Sequence, residues 1–552
     1  MSFSIWLKGR HNMKNKSRPF DDQVNPSLLE QIGKDLQRGV SRRNILRGLL
    51  ASGILATSAG GLLTAATSLY AQSPRRGGRI KVASASSSST DTLDPAKGSN
   101  STDYTRAHMF YSGLTTLNKL LVPQMALAES FAAEGALLWT VKLRRDVRFH
   151  DGTPFTSADV IYSLTRHKKP ETGSKALAVA MQFAEVKARG PHEVQIRLNT
   201  PNADLPVIFG TSHFLIVRDG TYDFSIANGT GPYKCVEFLP GVRSIGLRNK
   251  DYWKPDQPYL DEIELFSIPD AAARVKALLS GDVDVINSVD PRAVPRIIDA
   301  AGFSVQESQS GGYTDLVMRG ELGPNHNPDF VLAMKYLLDR EQIRKVAFRG
   351  FGTIANDQPL APNHRYYFAG LPQRPFDPEK VKFHLQRSGL AGRTLPIVAS
   401  TAANGSLEIA QLLQLSARKI GLKLDIKRVP ADGYWSYHWM KHPLGFGNIN
   451  PRPTADLMFS LFFKSDADWN ESGWNNEQFD QLLIAARAET DESKRKQLYA
   501  DMQVLIHELG GIGIPQFNSI IDAHNAKLKG YGANPLGGFM GFAFAEHVWL
   551  DS

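Results

Sequence analysis

Two histidines stand four residues apart, at His438 and His442. On a helix this spacing places both imidazoles on one face, where they could bind one metal ion. The competing interpretation is a packing or surface role beside Trp439. The neighbouring sequence shows no pattern that indicates a third metal ligand. We therefore predict no metal site, and keep a metal or metal chelate as an alternative cargo.

The pair His150-Asp151 could serve as an acid and a base. However, Gly152 and Pro154 follow directly and predict a tight turn. In such a turn the aspartate binds backbone amides. We therefore predict a structural role for this pair.

Glycines surround Thr230 in the segment Gly-Thr-Gly-Pro-Tyr at 229–233. The segment lacks the lysine and the following helix of a phosphate-binding loop. Since glycine has no Cβ, we predict a turn in which two backbone segments approach closely.

The usual motifs of enzyme chemistry are missing from the sequence. It has no Gly-x-Ser-x-Gly, no His-Glu-x-x-His, no Walker loop and no cysteine pair, because Cys235 is the single cysteine. We predict neither catalysis nor a bound cofactor. An exported hydrolase or cofactor enzyme remains a competing hypothesis.

A paired arginine, Arg42-Arg43, precedes Ile45-Leu46-Arg47 and a weakly apolar stretch rich in Gly, Ala, Ser and Thr. This order is typical of a twin-arginine export signal. A membrane anchor is the alternative, although a stable span needs more strongly apolar residues. We predict that residues 1–71 are the signal and leader, and that the protein folds before it reaches the periplasm.

The positive charge lies mostly in that leader. The whole chain carries a net charge of +9, but residues 1–71 hold 10 basic and 4 acidic residues, which leaves +3 for the remainder. A nucleic-acid partner would need a clustered basic face. We therefore predict no nucleic-acid binding.

The elements that must position any site alternate between strand and helix. Period-two patterns predict strands over 79–85, 139–149 and 422–427, whereas helical spacing predicts helices after Asn327 and over 408–420, 479–488 and 493–509. Thr156 or Ser157 is a suitable N-cap for another helix. The pattern predicts an α/β protein with mixed sheets.

Several ordered motifs resemble one family, the large solute-binding proteins of ABC importers (family 5, with dipeptide-, oligopeptide- and nickel-binding members). The motifs are Leu-Arg-Arg-Asp-Val-Arg-Phe-His-Asp-Gly-Thr-Pro-Phe-Thr-Ser-Ala-Asp-Val (143–160), Gly-Thr-Gly-Pro-Tyr (229–233), Asp-Tyr-Trp (251–253), Pro-Tyr-Leu-Asp-Glu-Ile (258–263), Leu-Asp-Arg-Glu-Gln-Ile (338–343) and Phe-Asp-Pro-Glu-Lys (376–380). The resemblance covers nearly all of the chain after Arg79.

The resemblance implies a two-lobed clamp with mixed sheets, flanking helices and an inserted domain in lobe one. We expect lobe one over 78–117, 223–308 and 521–552, the inserted domain over 118–222, and lobe two over 309–520. The chain would cross between the lobes near 308–313 and 518–522. A solute would bind between the lobes and close them, and a monomeric protein would deliver it to the transmembrane subunits of the permease.

The resemblance also indicates where the ligand binds. In the family, a strand and loop that follow an aromatic-rich helix of lobe two often meet the ligand, and peptide binders carry an aspartate there. This chain has asparagines at the nearest places and then an arginine, whose planar fork suits a carboxylate or phosphate. We expect a peptide, an opine or another acidic, amino-acid-like solute. The candidate ligand residues are Arg452, Asn450, Asn448, Phe446, Trp439 and Tyr111. The competing role for Arg452 is a salt bridge with Asp456, and the aromatic residues could instead fill cores.

Overall fold

The computed structural model describes residues 74–320 and 327–551. The predicted signal and leader, with Arg42 and Arg43, lie outside the described residues. Within the described ranges, no helix is long and apolar enough to cross a membrane.

The strands follow the chain from lobe one through the inserted domain and lobe two and back. They are β1 (Arg79–Ser84), β2 (Thr115–Leu117), β3 (Pro123–Met125), β4 (Ala128–Glu134), β5 (Leu138–Leu143), β6 (Phe183–Gly190), β7 (Glu193–Leu198), β8 (Tyr233–Leu239), β9 (Arg243–Arg248), β10 (Glu262–Ser267), β11 (Val285–Ile286), β12 (Phe303–Met318), β13 (Thr353–Ile354), β14 (Thr394–Ala399), β15 (Lys423–Arg428), β16 (Leu444–Ile449), β17 (Ile512–Gly513), β18 (Gln516–Asn525), β19 (Leu528–Lys529) and β20 (Trp549–Leu550).

The helices flank these strands. They are α1 (Ser101–Phe110), α2 (Ser157–Thr165), α3 (Leu177–Ala180), α4 (Leu205–Ile208), α5 (Ala271–Leu279), α6 (Val294–Ile298), α7 (Pro328–Leu337), α8 (Arg340–Ala347), α9 (Pro378–Arg387), α10 (Ser406–Arg418), α11 (Tyr434–Tyr437), α12 (Ala455–Phe462), α13 (Glu477–Ala488), α14 (Glu492–Leu509) and α15 (Gly538–Gly541).

One mixed sheet passes through both lobes. Its strand order is β16-β12-β18-β11-β1-β10-β9-β8, with β13 beside β18 and β17 beside β12. The long antiparallel strands β12 and β18 pair from Phe303↔Asn525 to Tyr313↔Phe517, with a register break between Gln309 and Tyr313. These two strands therefore carry the chain from the lobe-one end of the sheet to the lobe-two end.

The inserted domain has its own antiparallel sheet, β4-β5-β7-β6. Val141 and Ile196 face a separate core, together with Phe209 and Phe214. Lobe one has a core around Ile80, Phe110 and Leu265. Lobe two has two cores, one with Phe330 and Leu413 and the other with Phe459 and Tyr499. The protein is thus a two-lobed α/β clamp with an inserted domain, whereas the precise limits of the three parts stay a prediction.

Local sequence signals explain several element boundaries. Asn327 accepts a hydrogen bond from Asp329 N at 2.9 Å and begins α7, with Pro328 as its first residue. Thr156 and Asp159 form a capping box at the start of α2. Both predicted helix starts are confirmed. The observed strand is shorter than the predicted strand over 139–149, because β5 ends at Leu143 and the chain then turns, with Phe149 N donating to Thr153 O at 2.8 Å.

The glycine segment joins lobe one to the inserted domain. A Cβ on Gly229 would lie 2.1 Å from Phe110 O, and one on Gly231 would lie 2.4 Å from Phe110 C. The predicted close approach of two backbones is confirmed. The His150-Asp151 turn packs against the same segment, with His150 Nε2 3.0 Å from Gly231 O, and Asp151 accepts a hydrogen bond from Thr153 N at 2.9 Å. The predicted structural role of this pair is confirmed.

Candidate ligand-binding cleft

A cavity of 1570 Å³ lies where the three parts of the clamp meet. Lobe one contributes Tyr104 and His108, the inserted domain contributes Val179, and lobe two contributes Arg452 and Trp469. Large concave spaces between domains are the usual sites of small ligands. This cavity, which we call the cleft, is the candidate site.

Arg452 reaches the cleft from the loop between β16 and α12. Its Nη1 lies 3.4 Å from the carbonyl oxygens of Asn450 and Pro451, and its guanidinium lies 5.3 Å from the centre of the Phe462 ring. No carboxylate of the described residues lies within 4.0 Å of it. Thr454, two residues further on, accepts a hydrogen bond from Leu457 N as the N-cap of α12 and so fixes the end of this loop.

The alternative salt bridge between Arg452 and Asp456 is not formed. Asp456 instead pairs with Arg487, at 2.9 Å from Oδ1 to Nε. Arg452 is half-buried, and burial lowers its pKa below the usual value, while Tyr313 and Tyr104 act in the opposite direction. Burial disfavours the charged form of the guanidinium, and the neighbouring groups of the protein offset this cost only in part.

The asparagines next to Arg452 differ in position. Asn450 is exposed and lines the cleft. Asn448 lies within β16, where its Oδ1 is 3.1 Å from Oγ1 of Thr314 on β12, and it is not among the cleft-lining residues. The structure therefore brings Asn450 and Arg452 together at the cleft, whereas the side chain of Asn448 contacts Thr314 on the neighbouring strand.

Phe446 and Trp439 lie deeper in lobe two. Phe446 is 1% exposed and belongs to the core that Trp439 packs against. The indole Nε1 of Trp439 donates to Glu471 Oε1. Neither residue lines the cleft, so their role toward a ligand stays a prediction.

The partner of Trp439 belongs to a buried pair of carboxyl groups. Asp315, on β12, and Glu471 are both fully buried in lobe two, beneath Gly447 of β16. Burial raises the pKa of Asp315 to about 7, and burial together with the Asp315 charge raises the pKa of Glu471 well above its usual range. The pair therefore holds at least one proton at neutral pH.

Tyr111 is the candidate that comes from lobe one. It borders the cleft, but its side chain is 2% exposed and packs in the lobe-one core. Its buried hydroxyl has no hydrogen-bond partner among the described residues. Burial raises its pKa, so the hydroxyl stays protonated.

Sequence reasoning missed the aromatic walls of the cleft. Trp469 of lobe two is 43% exposed and contacts Phe462, with ring centres 5.7 Å apart. On the lobe-one side, Tyr104 contacts Phe542 edge to face at 5.3 Å, and both line the cleft. A tryptophan in the polar segment 465–472 was a usable signal, whereas nothing in the sequence brings Phe542 near Tyr104.

The two candidate metal ligands lie close together. His438 Nδ1 is 3.2 Å from His442 Nε2, and the rings stack. Among the described residues, no group of three His, Cys, Asp or Glu side chains could hold a metal ion. The rings also lie outside the cleft-lining set, so this arrangement does not support a site for a metal cargo.

A two-lobed α/β clamp with an inserted domain and a large cleft between its parts defines a periplasmic solute-binding protein. The sequence profile of the bacterial extracellular solute-binding proteins, family 5 (middle part), matches residues 122–471. The chain belongs to this family. It is therefore the solute-binding component of an ABC importer, not an enzyme, and it delivers a small solute to a permease.

Known proteins match over most of the chain. The glutathione-binding protein GsiB of Escherichia coli O6:K15:H31 is 25% identical over 473 residues, which cover 81% of this chain and 91% of GsiB. Heme-binding protein A of Haemophilus influenzae is 25% identical over 479 residues, which cover 79% and 85%. The structure of the periplasmic binding protein DppA of Helicobacter pylori with the peptide STSA superimposes with a TM-score of 0.70 at 22% identity, covering 87% of this chain and 99% of DppA.

Proposed function

We propose that the protein captures a small solute carrying a carboxylate or another acidic group, and that Arg452 binds this group. The observation that carries the proposal is a half-buried guanidinium that faces the cleft without a carboxylate partner among the described residues. A bound anion would stabilise the positive charge of the Arg452 guanidinium. Asn450, on the same loop, would donate a further hydrogen bond.

The other cations of the cleft are less suited to this role. Lys254 pairs with Glu546, and Arg487 pairs with Asp456. Lys119 and Lys175 are exposed, where water screens their charge. Arg452 is thus the described cleft cation that combines burial with an available fork, and the fork geometry favours a planar carboxylate or a phosphate.

The remainder of the solute would contact the aromatic walls. Trp469 lies on the Arg452 side of the cleft, and Tyr104 and Phe542 lie on the lobe-one side. Aromatic faces favour flat or apolar groups. An acidic peptide, an opine or a similar amino-acid-like compound with a non-polar portion fits this combination.

The names of the relatives support an acidic solute but do not identify it. GsiB is named for glutathione and the Haemophilus protein for heme. Because relatives of equal identity carry such different names, the ligand must be inferred from this chain's own cleft.

The finer points of the cellular role are also proposals. The Arg42-Arg43 signal supports export by the twin-arginine route. A single cysteine, Cys235, suits a protein that folds before export without disulfides. We expect a monomer. Tyr111, which borders the cleft, and Asn448, Phe446 and Trp439 stay candidate ligand-binding residues.

The test is a comparison of solutes and variants. Acidic solutes and their neutral amide analogues are screened by thermal shift, since a ligand of the folded state raises the melting temperature. A carboxylate held by Arg452 should bind Arg452→Gln about 10- to 100-fold more weakly, because a hydrogen bond to a charged group contributes about 1.5–3 kcal/mol. Lys119→Gln, which removes an exposed cleft cation, is the matched control and should bind normally. Equal affinity of Arg452→Gln and the unmodified protein would disprove the role of Arg452.

A further inference from the structure

A buried ion pair joins the inserted domain to lobe two. Asp204, directly before α4, is 1% exposed. Its Oδ1 lies 2.8 Å from Arg495 Nη1 and 2.8 Å from Arg365 Nη2. Arg495 is on α14, and Arg365 is on the loop between β13 and α9, so both arginines belong to lobe two.

Lobe two holds Arg495 in place without help from the inserted domain. Arg495 Nε donates to Ala486 O at 2.9 Å, and its two terminal nitrogens donate to the hydroxyls of Tyr366 and Tyr499. The guanidinium also lies 5.2 Å from the centre of the Tyr366 ring. Burial opposes its charge, but Asp204 and the tyrosines raise the pKa of Arg495 above its usual value. The arginine side of the contact is therefore a socket built within lobe two.

The inserted domain is anchored to lobe one by different contacts. Asp94, in the loop before α1, forms two hydrogen bonds with Arg166, at 2.8 and 2.6 Å. Lys175 N donates to Ala96 O at 2.9 Å. These contacts bind the inserted domain to the lobe-one side of the cleft, so it would move with lobe one.

The contact at Asp204 therefore connects the inserted domain with lobe two, and both of these parts line the cleft. Next to it, Ala203 N donates to Arg487 O at 3.0 Å, and Arg487 itself borders the cleft. If the lobes rotate apart about β12 and β18, these contacts to lobe two must break, while those of Asp94 persist. The charges of Asp204 and Arg495 would then be hydrated separately.

We propose that Asp204 is a positioning residue for solute capture, a latch that enters the Arg495–Arg365 socket and gives the clamp a closed population before solute binds. It does not touch the solute, and the proposal depends on hinge closure but not on Arg452. A solute that binds the closed form has an apparent affinity scaled by the closed fraction. The latch would thus set the affinity for every solute of the cleft by the same factor.

The experiment measures closure without solute. Spin labels are placed on the exposed positions Val242 of lobe one and Leu415 of lobe two, as V242C and L415C in a Cys235→Ser background. Pulsed electron resonance on the full chain then gives the distribution of distances between the lobes. The labelled protein that retains Asp204 should give a short-distance population. Asp204→Asn keeps the shape of the side chain but removes its charge, and it should reduce that population at least threefold.

Two further variants separate a latch from a structural contact. Asp357→Asn removes a buried aspartate that also pairs with two arginines, Arg340 and Arg374, but wholly within lobe two, and it should leave the distance distribution unchanged. Arg365→Gln changes the less buried partner of Asp204 and provides the test if Asp204→Asn fails to fold. This variant should also shift the distribution toward longer distances. An unmodified protein that is entirely open, or an unchanged distribution in the folded Asp204 or Arg365 variant, would overturn the latch. Because no solute is present, either result leaves the role of Arg452 to its own test.

Discussion

The carboxyl groups of Asp315 and Glu471 meet beneath Gly447, where a Cβ would lie 2.0 Å from Glu471 Oε1 and 2.5 Å from Asp315 Oδ1. Trp439 donates to the same Glu471 oxygen, and Arg319 donates to the backbone carbonyl of Glu471 at 2.9 Å. Tyr313 and Tyr434 are the other titratable groups near the pair. The pair thus lies directly behind the strand that leads to Asn450 and Arg452.

Stability should depend on pH through this pair. The pKa of Asp315 is raised to about 7, so the folded protein keeps a proton that the unfolded chain releases above about pH 4. The stabilisation that this proton adds to the folded state is full below about pH 4 and is lost as the pH rises through about 7. Asp315→Asn should flatten the change in unfolding free energy between pH 5 and pH 8 by on the order of 1–3 kcal/mol. Urea denaturation at both pH values measures it.

The control for that measurement is Asp223→Asn, which changes an exposed aspartate whose pKa is lowered by hydrogen bonds from Ser225. It should retain the pH dependence of the unmodified protein over this range. If Asp315→Asn and Asp223→Asn behaved alike, the buried pair would not be the source of the dependence.

Gly447 should not tolerate a side chain. Gly447→Ala would force the new Cβ into the two buried carboxyl groups, and overpacking a core typically costs about 1–3 kcal/mol. Thermal unfolding measures the loss. Gly445→Ala, two residues earlier on β16, is the control because its Cβ would meet nothing closer than Val398 O at 3.6 Å. A larger destabilisation at 445 than at 447 would contradict the packing described here.

Arg452→Lys tests whether the fork matters as well as the charge. Lysine keeps the positive charge but cannot form two parallel hydrogen bonds with a carboxylate. We expect an affinity for acidic solutes roughly 5- to 30-fold below that of the unmodified protein and above that of Arg452→Gln. Isothermal titration calorimetry on the three proteins gives the order. Full recovery by lysine would show that charge alone is recognised.

Trp469 should contribute to solute binding through its exposed ring. Trp469→Ala is expected to weaken binding about 3- to 10-fold, because an aromatic contact contributes about 0.5–1.5 kcal/mol. The matched control is Trp435→Ala, since Trp435 is similarly exposed at 41% and contacts Trp439 but does not line the cleft. Equal losses in both variants would indicate an indirect effect through Trp439.

Local signals made the elements predictable, but not the depth of each residue in the fold. The cap at Asn327 and the alternation of β15 depend on neighbouring residues only, and both are found in the structure. Arg452 lines the cleft, and its role toward a ligand stays a prediction. By contrast, Phe446 packs in a core with Leu316 and Phe330, and Trp439 donates to Glu471, and these partners are distant in sequence. The same holds for Asp204, whose partners lie 161 and 291 residues away.

The register break in the shared sheet has a consequence for amide hydrogen exchange. The pairing of β12 with β18 is regular up to Gln309↔Ser519 and resumes at Tyr313↔Phe517, so the segment around Gly311 and Gly312 lacks ladder partners on that side. In deuterated water, the amides of 310 and 311 should acquire label well before those of the paired stretches on either side, since local opening needs fewer bonds to break. Gly312 N donates to Ser310 Oγ at 2.9 Å and should exchange more slowly than these two. The two paired stretches of the sheet would then exchange slowly, and the unpaired segment between them would exchange fast. A solute that closes the clamp should slow exchange in the unpaired segment and leave exchange in the paired stretches unchanged.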